Sequence, residues 1–183
     1  MKRYRSISVA ALMGVSALSI TACEEAKVDA TVFSSLQQCL DDGGLTQEQC
    51  EAGLREARSQ HAEVSPKYSS KEDCEGDFGA GKCETAPYRT ASGGSVFMPL
   101  MMGYMMGSML GSGTGRGSAF TQPLYRSADD PKAYRNADNR KVATKSGRTQ
   151  VASSVGRRPS MKTSTLSRGG FGSSGRRLGS AAT

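Results

Sequence analysis

A small all-α domain stapled by disulfides, followed by a short apolar Met/Gly helix and a largely disordered remainder, is the fold class that this sequence predicts. Three observations predict it. Helix-capping residues stand three positions ahead of suitable partners in front of the cysteines. Four cysteines remain for pairing in a chain that begins with an export signal. After residue 111 the chain is rich in Gly, Ser, Thr and Arg, with few large apolar side chains to bury.

The export signal comes first. Lys2, Arg3 and Arg5 give a positive amino terminus, and Ile7 to Ile20 carry no charge. This run is too short to span a bilayer, which takes about 20 apolar residues. Ile20-Thr21-Ala22-Cys23 resembles a bacterial lipobox, so residues 1–22 read as a lipoprotein signal peptide and Cys23 as the lipidated residue. Several acyl chains, at about 0.8 kcal/mol per buried methylene, anchor a protein durably where one chain does not. Glu24 stands where an aspartate would favour retention in the inner membrane, which favours the outer membrane.

Residues 23–90 read as an acidic, cysteine-containing helical domain, with 14 acidic against 7 basic side chains. Phe33-Ser34-Ser35-Leu36-Gln37-Gln38-Cys39 aligns with Tyr68-Ser69-Ser70-Lys71-Glu72-Asp73-Cys74 at a period of 35 residues, which suggests two quasi-repeats. Ser35 with Gln38 and Ser70 with Asp73 open helices, Gly43-Gly44 closes the first, and Thr46 with Gln49 opens a longer one. Cys50, Leu54 and Ala57 continue one apolar face towards His61. The disulfide cysteines are Cys39, Cys50, Cys74 and Cys83. Three connectivities are open, and equivalent short loops in the two copies point to Cys39–Cys50 and Cys74–Cys83. The spacings lack the close C-x-x-C pair of a zinc or redox site.

Residues 91–95 read as a linker, and residues 96–111 as a Met/Gly-rich association helix. This segment carries no charge, and Gly103, Gly107 and Gly111 recur every four residues, the stripe on which two helices approach closely. Its thioethers admit an alternative, since Met98, Met102, Met105, Met106 and Met109 are soft donors suited to Cu(I). The glycine spacing favours packing over metal, and metal ligands are otherwise set at none. Residues 112–183, with 14 basic and 3 acidic side chains, read as a basic disordered tail. Gln122-Pro123-Leu124-Tyr125 and Arg168-Gly169-Gly170-Phe171-Gly172 stand out in it as short recognition segments.

Five elements, in order, are distinctive: Glu72-Asp73-Cys74 with Phe78-Gly79 and Cys83; Phe97-Met98-Pro99-Leu100; Gly103-Tyr104-Met105-Met106-Gly107; Gln122-Pro123-Leu124; and Arg168-Gly169-Gly170-Phe171-Gly172. Together they resemble the YgiB-type family of Gram-negative bacteria, uncharacterised proteins predicted to be lipoproteins. The resemblance implies an envelope location and assigns no activity.

Catalytic residues are set at none. The one histidine, His61, lies in the polar end of a helix and reads as a solvated surface residue, and Glu51, Glu56 and Glu63 read as a solvated face rather than a paired acid and base. No phosphate loop or dinucleotide fingerprint occurs. The expectation is a non-enzymatic envelope lipoprotein, periplasm-facing, acting as an interaction or structural protein without a cofactor; Cu(I) binding is the alternative. Its expected partners are the membrane through the anchor, an envelope protein or a second copy, and anionic lipid or cell-wall polymer for the basic tail. Export argues against nucleic acid.

Overall fold

The computed structural model describes residues 25–109, 118–162, 165 and 169–173, so Cys23, Gly111 and Arg168 lie outside the described residues. The all-α expectation is overturned: β-strands carry the architecture, and helices are the minor part. In order, the elements are β1 (Lys27–Phe33), α1 (Leu36–Asp42), α2 (Gln47–Val64), α3 (Lys71–Phe78), β2 (Cys83–Arg89), β3 (Ser95–Pro99), β4 (Gly103–Met109), β5 (Ser118–Ser127), β6 (Asp130–Arg135), β7 (Lys141–Ala143), β8 (Gly147–Ala152) and α4 (Ser153–Gly156).

The helices start where local chemistry places them. Ser35 Oγ accepts from the Gln38 amide at 3.2 Å, and Gly43 ends α1 in the left-handed conformation. Thr46 and Gln49 form a reciprocal capping box on α2, and Ser70 Oγ accepts from the Asp73 amide on α3. The disulfides join Cys39 to Cys50 and Cys74 to Cys83. The first ties helix to helix, whereas the second ties α3 to strand β2, so the two quasi-repeats diverge after their first helix. Residues 91–95, read as a linker, form the turn of the β2–β3 hairpin and the first residue of β3.

Residues 96–111, read as one helix, instead hold β3 and β4, separated after Pro99. A spacing of four is close to one helical turn, yet it is also twice the strand period. Gly103 and Gly107 therefore share a strand face as readily as a helix stripe. With no charge in the segment, nothing in its polarity separates the two periods. β4 lies between β1 and β5, with Phe33 opposite Tyr104 and Met106 opposite Thr121.

The disorder expected over residues 112–183 is corrected as well. Strands β5 to β8 complete an antiparallel six-stranded sheet in the order β7-β6-β5-β4-β1-β8. Antiparallel strands with one wet face need only one apolar residue in two, and several of these offer only one or two. Pro123 sits in β5 opposite Tyr104, at a level where β6 does not yet pair with β5, so its missing N–H is harmless.

The edge strands β7 and β8 are consecutive in the chain. Residues 144–146 join them, and a link of four Cα steps spans at most about 14 Å. The sheet must therefore curl until its edges approach. Every one of its strands sends a side chain into one interior cluster: Ala30 and Val32, Met105, Leu124, Tyr134, Val142 and Val151, with Val155 of α4 as a plug. Outside the curl, α1 and α2 pack on Phe33 and Tyr104. A third cluster of Tyr68, Cys74, Phe78, Tyr125 and Phe171 joins α3 to the sheet.

Candidate functional site

A cleft of about 970 Å³ opens between α2 and the outer face of the sheet. Its floor follows from strand register. Arg148 of β8 lies opposite Thr31 of β1, Thr31 opposite Met106 of β4, and Met106 opposite Thr121 of β5, which makes one row across four strands. Phe33 and Phe120 extend the floor at its ends. The roof is one stripe of α2, Gln49, Ala52, Gly53 and Glu56, at helical spacing. Small residues at the centre of that stripe keep the roof thin. A Cβ on Gly53 would collide with Met106 Sδ, so glycine lets the methionine lie flat beneath the helix.

The cleft pairs an apolar centre with a charged rim. Asp29, Asp42 and Glu56 stand against Arg148, an excess of carboxylate. Asp29 accepts from Gln150 Nε2 at 3.0 Å, and Glu56 holds Arg158 at 3.0 Å. The Arg148 side chain is exposed and makes no hydrogen bond or ion pair among the described residues. A concave site of this size with an apolar floor and a few polar groups at its edge is built for binding. The chain's one histidine is elsewhere, so the cleft has no nucleophile with an imidazole base beside it.

His61 is buried at the inner end of α2, not on the solvated surface expected of it. Its Nδ1 lies 2.9 Å from Tyr125 Oη and its Nε2 lies 3.2 Å from Glu84 Oε1. Burial pushes the imidazole below its ordinary pKa, against the opposing pull of the Glu84 carboxylate. Burial also raises the phenol of Tyr125 well above its usual value. The three groups lock α2, β2 and β5 together.

The methionines are dispersed. Met105 is in the interior of the curl, Met106 on the outer face under α2, and Met98 in a separate cluster with Ala86 and Val96. Met102 lines a small cavity beside Phe78 and Pro131. Strand alternation sends neighbouring thioethers to opposite faces, so those described do not form one ligand set; the Met109 side chain lies outside the described residues. Among the described residues no three His, Cys, Asp or Glu side chains gather as metal ligands. The glycines expected to join two helices serve close approach within the chain. A Cβ on Gly107 would lie 2.6 Å from Asp29 O and collide with Phe120, and one on Gly103 would lie 2.6 Å from Phe33 O.

A second constellation joins the singled-out Gly-Gly-Phe-Gly segment to partners that the sequence does not point to. Residues 169–173, which overlap the segment 168–172 read as a recognition element of a free tail, are docked on the chain's own body. Phe171 is 2% exposed, with its ring 4.9 Å from Phe78 and 6.2 Å from Tyr125. The Asp77 carboxylate accepts the Gly169 and Phe171 amides at 2.7 and 3.1 Å, and the Tyr68 hydroxyl at 2.8 Å. Asn139 grips Gly172 from both sides: its Nδ2 donates to the carbonyl at 2.8 Å, and its Oδ1 accepts from the amide at 3.1 Å. Asp129 accepts the Ser173 amide at 2.7 Å. Gly172 has φ +77°, and a Cβ there would collide with Asp129. The glycine-rich spelling of the segment was the available signal, since only glycine satisfies that conformation and fit.

Fold and site define a disulfide-stapled α+β domain: a curled antiparallel sheet with a cleft under one helix and a tail clasped to its side. The chain belongs to the YgiB-type family, whose model, described as "Protein of unknown function (DUF1190)", matches residues 27–181. It is similar to the UPF0441 protein of Serratia proteamaculans, 33% identical over 137 residues that cover 69% of this chain and 60% of the relative. It is also similar to the UPF0441 protein of Erwinia tasmaniensis, 32% identical over 109 residues covering 55% and 49% of the two chains. A third relative, the UPF0441 protein plu3956 of Photorhabdus laumondii, is 31% identical over 146 residues, with 69% and 60% covered. The chain thus spans about half to three-fifths of the length of these relatives. No solved structure matches it.

Proposed function

We propose that this is a non-enzymatic lipoprotein of the bacterial cell envelope, anchored through Cys23, that works as an interaction protein at the membrane surface. The cleft under α2 carries the reading, because it is the feature that offers a partner a shaped, partly apolar surface. Glu25 accepts from the Ser154 amide at 2.6 Å and pairs with Arg140 at 3.8 Å. Cys23 is two residues ahead of it, within about 7 Å of extended chain. The anchor would leave the body beside the exposed cations Arg140 and Lys141. Near anionic lipid or cell-wall polymer each of these is worth about 1 kcal/mol, which would orient the body on its support.

Two measurements test the reading. Cys23→Ser should release the protein from the membrane fraction; a variant that still fractionates with membranes refutes the anchor. A photoreactive residue placed at Gln49 should capture one envelope component that the same residue at Lys71, outside the cleft, does not. Equal capture at both positions refutes the cleft as the binding surface.

A further inference from the structure

Strand β5, the β5–β6 and β6–β7 turns, and helix α3 build a slot whose contents are a peptide. Asp77 receives the amides of Gly169 and Phe171, Asn139 pairs with both the N–H and the C=O of Gly172, and Phe171 fills an aromatic socket between Phe78 and Tyr125. This is how peptide-recognition sites divide their work: main-chain hydrogen bonds hold the ligand, and one side-chain pocket selects it. Gly172 lies against the Asp129 carboxylate too closely for any side chain, so the slot also selects glycine.

The charges agree. The slot presents Asp77 and Asp129, while the segment is preceded by Arg168 and followed by Arg176 and Arg177. Lys162 pairs with Asp138 at 2.5 Å, next to Asn139, and Gly169 follows it seven positions later in the chain. A covalently linked segment meets its site at a raised effective concentration, which keeps the chain's own segment seated.

We propose that this slot is a recognition site for a Gly-Gly-Phe-Gly segment, that the segment in it is a tethered ligand, and that a second copy of this chain supplies the same segment to a slot left vacant. Such exchange of an identical element joins two copies without any new contact.

Complementary full-length variants test it. Phe171→Ala keeps the slot and disarms the tail. The double change Asn139→Asp with Asp129→Asn keeps the tail and weakens the slot, since a carboxylate at 139 repels the Gly172 carbonyl that the amide bound. Both are first shown to melt cooperatively with their disulfides intact. Each alone should run as a monomer in size exclusion with light scattering, and their mixture should form a dimer. A synthetic peptide of residues 165–175 should bind Phe171→Ala saturably, at least ten-fold more tightly than wild type, whose slot is filled. The same peptide with alanine for its phenylalanine should bind at least ten-fold more weakly. A mixture that stays monomeric overturns the exchange between copies, and a peptide that fails to bind folded Phe171→Ala overturns the recognition site.

Discussion

Replacing Asp77 by alanine should loosen two parts of the molecule at once, and the structure sizes the effect. The carboxylate is 7% exposed and serves Tyr68 of the body as well as Gly169 and Phe171 of the tail. Removing it strands the fully buried Tyr68 hydroxyl, at about 1–3 kcal/mol for an unmet donor. The two tail amides lose charge-assisted bonds and escape their own penalty only if the tail leaves for water. That departure forfeits the burial of Phe171, about 1.5–3 kcal/mol, part of which the freed chain regains as entropy. The loss should therefore be about 3–5 kcal/mol, or on the order of 10 °C in melting temperature for a domain of this size. Calorimetry measures the total, and hydrogen exchange at Gly169, Phe171 and Gly172 reports the tail. Adding Tyr68→Phe should recover about 1–3 kcal/mol, because the stranded hydroxyl is gone. A change below about 1 kcal/mol with unaltered exchange at the tail amides would refute the clasp as a stabilising element.

Gly107→Val should destabilise the fold by more than about 2 kcal/mol, through contact with Phe120 and the Asp29 carbonyl, while Met106→Leu on the opposite face costs less than about 1.5 kcal/mol. Equal denaturant midpoints for the two variants would contradict the strand assignment of β4. For pH, burial lowers the pKa of His61, so between its folded and unfolded values the unfolded chain binds more protons. That stability is fully present above about pH 6.5 and is lost as pH falls through the folded value. Glu84 and Tyr125 are the groups that face the ring. His61→Gln should flatten the fall in melting temperature between pH 7 and 5, and an unchanged slope would show that carboxylates alone carry it.

Much of the local structure was legible from short-range chemistry. The caps at Ser35, Thr46 and Ser70 and the stop at Gly43 depend on residues three or four apart, and such bonds form before any tertiary partner is chosen. The pairings Cys39–Cys50 and Cys74–Cys83 are local too, with separations of 11 and 9 residues that favour closure within each copy. Five short motifs in order were enough to place the chain in its family.

Tertiary structure decided what local chemistry leaves degenerate. The Met/Gly segment repeats glycine every four residues, which suits a helix stripe and a strand face alike; only the neighbours β1 and β5 resolve the ambiguity. Strands β6 to β8 bring one or two large apolar residues each, too few to announce a core. They become strands because Tyr134, Val142 and Val151 meet Val32, Met105 and Leu124 inside the curl. The cleft exists because residues 31, 106, 121 and 148 fall into one row beneath Ala52 and Gly53. The clasp joins residue 77 to 171 and 139 to 172, separations of 94 and 33. Composition marks those glycines and arginines as a free tail, because the entropy of ordering them is offset only by partners distant in sequence.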